Sequence, residues 1–289
     1  MILFFVLGLM VIIALALALI SGAGRRRSAT EAMHANLEAA RLPIEPWRYD
    51  VHELEGLPAP VQRYFRAVLK DGQPGIAAIR IEQAGTFNMS ETGDRWKPFL
   101  ATQRVITRRP GFDWEARIAM LPLMVVRVHD AYIAGEGVLD ASLFGLMSLA
   151  NLHGTPEAAQ GELMRFLAEA AWYPTALLPS QGVSWEAVDE VSANATLTDG
   201  ETTVTLLFRF NANSLIESVR AEARGRTVAG TVIPTPWEGR WNNYAIQDGI
   251  AIPLEGEVAW MLPEGPKPYW RGRIVNLHYE LMPSLQPPV

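Results

Sequence analysis

No cysteine occurs among the 289 residues, which excludes disulfides, zinc–thiolate sites, iron–sulfur clusters and a thiol nucleophile. An excess of basic charge is missing too. The 25 Lys and Arg face 31 Asp and Glu, a net charge of −6, and nucleic-acid binding needs clustered cations. There is no G-x-S-x-G elbow, no phosphate loop and no H-E-x-x-H helix. Gly135-Glu136-Gly137 fails as a dinucleotide loop, because Asp140 stands where the third glycine belongs. The five histidines, at 34, 52, 129, 153 and 278, show no metal-ligand spacing. No cofactor, metal or nucleic-acid partner is expected. With 49% hydrophobic residues and only 19% charged, the chain is rich enough in apolar side chains to bury a core.

What is present begins with an uninterrupted apolar run over residues 1–20. Roughly 20 such residues at ~1.5 Å each cross a ~30 Å hydrocarbon core, so 1–24 reads as a transmembrane anchor contacting the lipid bilayer through 1–20. The alternative is a cleaved signal peptide, for which Ser21-Gly22-Ala23 offers small residues. That reading wants a basic start and a shorter run. Arg25-Arg26-Arg27 follow, and basic flanks favour the cytoplasmic side, so a single-pass protein of the cell membrane with a cytoplasmic domain is expected. The acidic remainder has no electrostatic reason to lie on an anionic leaflet.

Residues 25–56 read as a helical stalk and linker. Ser28-Ala29-Thr30-Glu31 has the form of a capping box, opening a helix that ends near Arg41, before Pro43. Residues 57–289 then read as one domain. Val61, Tyr64, Phe65, Val68 and Leu69 give a helical apolar face after Pro58-Ala59-Pro60. From Ile76 the period changes to two. Alternation predicts strands from Ile76, over Trp96 to Ile106, from Phe112, Leu123 and Val138, and after Ala193, with Pro110-Gly111 as a type II turn. Asp199-Gly200 and Asp248-Gly249 mark hairpins. Ser218, Arg220, Glu222 and Arg224 fall on one face of a further strand, and Tyr269 to Tyr279 forms the last. Thr155 as N-cap and Pro156 at N1 open an inserted helix over about 156–171, with Leu163, Phe166, Leu167 and Ala170 as its stripe. About ten strands in local hairpins, with no strand–helix alternation and no repeat, predict a mainly β (α+β) fold. The economical form is a large curved antiparallel sheet wrapped around the one long helix.

Several blocks carry a resemblance: Leu57 to Phe65, Pro110 to Arg117, Asp130 to Gly137, Glu169 to Thr175, Pro236 to Gly239 and Tyr269 to Gly272. Together they resemble an uncharacterised bacterial family of membrane-anchored proteins, over residues 55 to 280. The resemblance implies an N-terminal hydrophobic segment ahead of one domain and carries no activity. The strand–helix order is similar to the half-barrel of periplasmic lipoprotein carriers, an architectural analogy.

Nine tryptophans are the unusual part of the composition. They either fill a thick core or line an apolar cavity with a few polar handles. For the cavity, the candidate ligand-binding residues are Trp114, Arg117, Tyr132, Glu169, Trp172, Tyr173, Trp237 and Trp270. Glu162, Arg165 and Glu169 share one helix face, by default a solvated salt-bridge stripe. If that face meets the sheet, Glu169 needs Arg117, Arg240 or Arg271 as partner. His129-Asp130 cannot act as a dyad within a strand, where neighbours point to opposite faces. The leading functional expectation is a non-enzymatic, membrane-tethered binder of an apolar ligand such as a lipid or acyl chain. The alternatives are an enzyme using carboxylates such as Glu115 and Glu169 on lipid-like or glycan substrates, and a structural partner of another membrane protein.

Overall fold

The computed structural model describes residue 24 and residues 27–283, except 91, 122–123, 144–146 and 229. The apolar run at 1–20 and Arg25-Arg26 lie outside the described residues. Among the described residues no helix is long and apolar enough to cross a membrane.

Thirteen strands form one antiparallel sheet: β1 (Ile76–Asn88), β2 (Trp96–Ile106), β3 (Gly111–Leu121), β4 (Met124–Ile133), β5 (Glu136–Leu143), β6 (Met147–His153), β7 (Ser184–Asp189), β8 (Ser192–Asp199), β9 (Thr202–Phe210), β10 (Ile216–Val228), β11 (Thr231–Gln247), β12 (Ile250–Leu262) and β13 (Gly265–Leu281). Their spatial order is β6-β5-β4-β3-β2-β1-β13-β12-β11-β10-β9-β8-β7. Two meanders therefore join at β1 and β13, and the two free edges, β6 and β7, are consecutive in the chain. Between them runs the inserted helix. The helices are α1 (residues 27–40), α2 (Ala59–Val68) and α3 (Pro156–Glu169).

α3 packs against β4 and β5 near one edge and against β9 and β10 near the other. A single helix reaches both sides only if the sheet is strongly curved, and a row of glycines permits that curvature. Gly85 pairs with Gly272, and Gly272 with Gly256, across β1, β13 and β12, with Phe99 and Trp241 next in the row. The Trp270 ring lies over Gly272, where a Cβ would approach it to 2.3 Å, and a Cβ on Gly85 would meet the Arg271 carbonyl oxygen at 2.0 Å. Side chains at these positions would hold the strands flatter.

The α3 start forms as the sequence predicts, with the Thr155 hydroxyl accepting from the Ala158 N–H. The face that α3 buries includes Leu163, Phe166 and Leu167. Past its end, the Trp172 indole donates to the Pro253 carbonyl, and the Tyr279 hydroxyl donates to the Trp172 carbonyl. α2 packs against β8 and β12, with Val61, Tyr64, Phe65 and Val68 buried as their spacing requires.

The N-terminal expectations need correction. Helical backbone already includes residues 24 and 27, so Ser28 lies inside α1 and does not cap it. Nor does the segment stand off as a stalk. Leu37 is fully buried against Gly111, Arg41 makes a two-pronged contact with Glu280 on β13, and Tyr49 and Leu54 join the core. Leu37 was too isolated in the sequence to announce this. The turn at Pro110-Gly111 also differs. Arg109 takes the left-handed conformation (φ 65°), and Gly111 starts β3, where a Cβ would press on Leu37 at 3.0 Å and on the Tyr132 carbonyl oxygen at 3.2 Å.

Candidate functional site

Between the concave face of the sheet and α3 lies a cavity of about 570 Å³, within the ~300–1,000 Å³ of small-molecule sites. Strand alternation sets its walls. Inward positions supply Trp114 (β3), Val128 (β4), Val138 (β5), Trp237 (β11), Val258 and Trp260 (β12) and Trp270 (β13), and a register irregularity opposite Val258 and Ala259 brings in Tyr269 as well. Gly161 opens space on the helix side. One face of α3, including Glu162, Arg165 and Glu169, looks into the cavity.

These three residues do meet the sheet, against the default of a solvated stripe. Arg165 is the pivot. Its guanidinium donates to Glu169 Oε1 at 2.7 Å and to Asp130 Oδ2, and lies 4.8 Å from the centre of the Phe112 ring and 4.9 Å from that of Trp114. Burial works against its charge, but the Glu169 and Asp130 carboxylates outweigh it and hold the proton more firmly than water does. The Gln103 amide donates to Glu169 Oε2 at 2.6 Å; Gln83 bridges Gln103 and the Trp114 indole. A continuous polar chain thus runs through an otherwise apolar interior.

Its other end is less evenly charged. Asp130 Oδ1 and Glu162 Oε2 are buried without a nitrogen or hydroxyl donor among the described residues. Burial, then the nearby charge of Asp130, pushes Glu162 well above the usual carboxylate range, against the pull of Arg224 and Arg165. Glu162 therefore takes up a proton more readily than a free carboxyl does, and its protonated form is placed to donate to Asp130. Beyond Glu162 stands Arg224, 3.5 Å away and over the Trp237 ring at 5.0 Å, while the Trp237 indole donates to the Tyr269 hydroxyl at 2.9 Å.

Of the eight residues singled out from the sequence, Trp114, Glu169, Trp237 and Trp270 line this cavity and the others do not. Arg117 is exposed on the outer face of β3; Glu169 takes Arg165 and Gln103 as partners, not Arg117, Arg240 or Arg271. Tyr132 is buried away from the cavity and bonds Asp199. Trp172 and Tyr173 lock the end of α3, Tyr173 by donating to the Phe166 carbonyl. Glu115 sits beside Trp114 in β3, so it points to the opposite face and pairs with Arg127 at 3.0 Å. The proposed Glu115–Glu169 couple does not form. Sequence reasoning missed Asp130, Gln83, Gln103 and Arg224. Gln83 carried a signal, since it occupies an inward position among Ile79, Ile81 and Phe87.

The chain belongs to a family of unknown function, DUF6920, whose model matches residues 55–279. No curated protein matches it. Among solved structures, it is similar to a LolA superfamily protein from Nitrosomonas europaea, at 10% identity and a TM-score of 0.33, over 79% of this chain and 96% of that one. It is also similar to a beta-barrel-like protein of the domain of unknown function DUF1849 from Brucella abortus, at 11% identity and a TM-score of 0.22, over 72% of this chain and 100% of that one.

Proposed function

We propose that this protein binds an apolar ligand, such as a lipid or acyl chain, in the space between the concave sheet and α3, and does so while tethered to a membrane. The cavity carries the reading. It is large, more than half of its lining residues are apolar, with five tryptophans among them, and Asp130 and Arg224 gather with the charged face of α3, the composition of a site that buries an apolar body and orients one end of it. The tether rests on the apolar run at 1–20, and the arginines after it favour a cytoplasmic domain.

Full-length protein purified in detergent should carry co-purifying lipid, detectable by native mass spectrometry and by extraction. A protein free of bound lipid that takes up none on incubation ends the proposal. Gly161→Phe fills the cavity from the helix side, because a Cβ there meets only Arg224 atoms, at 3.7 and 4.0 Å, and should reduce lipid uptake. Reporter fusions at the C-terminus test the sidedness: activity of a periplasmic reporter there overturns the cytoplasmic placement.

A further inference from the structure

Arg224 reaches the cavity through an irregularity in β10. Ala221 pairs with Trp237 and Arg224 with Thr235, so two residues of β10 oppose one of β11. Such a bulge reverses the facing of everything after it. Arg220 consequently points outward to Glu222 and Glu238, while Arg224, four residues on, points inward. Simple alternation puts both on one face. The bulge thus delivers an obligate cation into an apolar cavity.

That cation is poorly matched inside the protein. Its side chain is 11% exposed, and a guanidinium has five N–H donors to satisfy. Among the described residues the one acid paired with it is Glu162, at 3.5 Å, the outer limit of a hydrogen bond. Asp130 and Glu169 are committed to Arg165. Burial and the neighbouring Asp130 oppose the ionised form of Glu162, which weakens it as a counter-charge. A buried charge without a counter-ion is costly, and an incoming anion relieves that cost.

Building on the cavity reading, we infer that the ligand is a single-chain amphiphile with a carboxylate head, the head seated on the Arg224 guanidinium and the chain lying along the tryptophan wall. A planar carboxylate matches the guanidinium fork through both of its oxygens. A phosphate head brings a second negative charge toward the acidic face of α3, where a carboxylate brings one.

The test compares dodecanoic acid, dodecanol and dodecyl phosphate, each titrated into full-length protein and followed by tryptophan fluorescence. Wild type should prefer the acid over the alcohol by at least about tenfold, the scale of a hydrogen bond to a charged group. Arg224→Gln should abolish that preference, and Arg224→Lys should restore part of it, with near-UV circular dichroism confirming the fold of each. Equal binding of acid and alcohol by wild type overturns the head-group inference and leaves the cavity reading standing. Failure of all three ligands to bind overturns both. Tighter binding of the phosphate replaces the carboxylate head, and an undiminished preference in Arg224→Gln removes Arg224 from the head site.

Discussion

The Tyr132 hydroxyl donates a 3.0 Å hydrogen bond to Asp199 Oδ2, joining β4, near one edge of the sheet, to β8, near the other. With Arg109 3.9 Å from the same carboxylate, this contact ties the curved sheet to itself beyond the reach of α3. Tyr132→Phe removes one such bond and should cost about 1 kcal/mol in urea unfolding. Because Tyr132 lies outside the cavity, ligand uptake should stay at the wild-type level. A loss of uptake without a loss of stability would return Tyr132 to the binding site.

Two glycines should respond to alanine with opposite signs. Gly161 sits inside α3 with only ordinary contacts awaiting a Cβ, so Gly161→Ala should stabilise by up to about 1 kcal/mol through helix propensity. Gly85 leaves a Cβ 2.0 Å from a backbone carbonyl oxygen, and backbone cannot rotate aside as a side chain does. Gly85→Ala should cost about 3 kcal/mol or more. Thermal unfolding of the two variants checks both; a neutral Gly85→Ala would mean that the close strand approach is not needed for curvature.

Local chemistry was legible in the sequence wherever a few adjacent residues decide the outcome. Thr155-Pro156 announces the start of α3, and Asp199-Gly200 the β8–β9 turn, because caps and tight turns depend on neighbours. β7 gave no such signal: Ser184–Asp189 is an almost wholly exposed edge strand, so no burial imposes alternation on it. The tryptophans and the α3 stripe could be named, but not the faces they meet. The polar chain draws on β1, β2, β3, β4, β10 and α3, and only the curvature of the sheet brings these together. Arg224 was misplaced because one extra residue in β10 inverts the parity on which strand reading depends.

A buried acid also lies on the outer face. Asp113, only 1% exposed in its side chain, is in ion-pair contact with His129 at 2.8 Å and with His34 of α1 at 2.9 Å. Burial lowers the proton affinity of His129, but Asp113, with Glu115 and Asp140, outweighs it and raises the value above that of a free histidine. The stabilisation is therefore complete below the unfolded value of ~6.5 and fades as pH rises through the folded one. For His34, burial comes first and wins, lowering it, an effect of opposite sign to which the charge of His129 contributes only a minor part. The unfolding free-energy difference between wild type and His129→Gln should be greatest near pH ~6 and shrink toward pH ~8.5. A constant difference would show that His129 does not gain a proton on folding.

Glu162 offers the sharper titration, because its partner Asp130 can be changed independently. The raised value of Glu162 in the fold means that its contribution is intact at pH values below the ordinary carboxylate range and is lost as pH rises through the folded value. Glutamine keeps the shape and the donor toward Asp130 with no proton to lose. Glu162→Gln should therefore match wild type near pH ~4 and exceed its stability near pH ~8. Asp130→Asn behaves differently. It takes from the buried Arg165 one of its two carboxylates, and should cost about 3 kcal/mol, the lower end for a broken buried pair, because Glu169 remains. Urea unfolding of both variants at the two pH values separates the roles. If Glu162→Gln destabilises near pH ~8, the carboxyl is ionised in the fold, and its attraction to Arg224 outweighs the burial that opposes it.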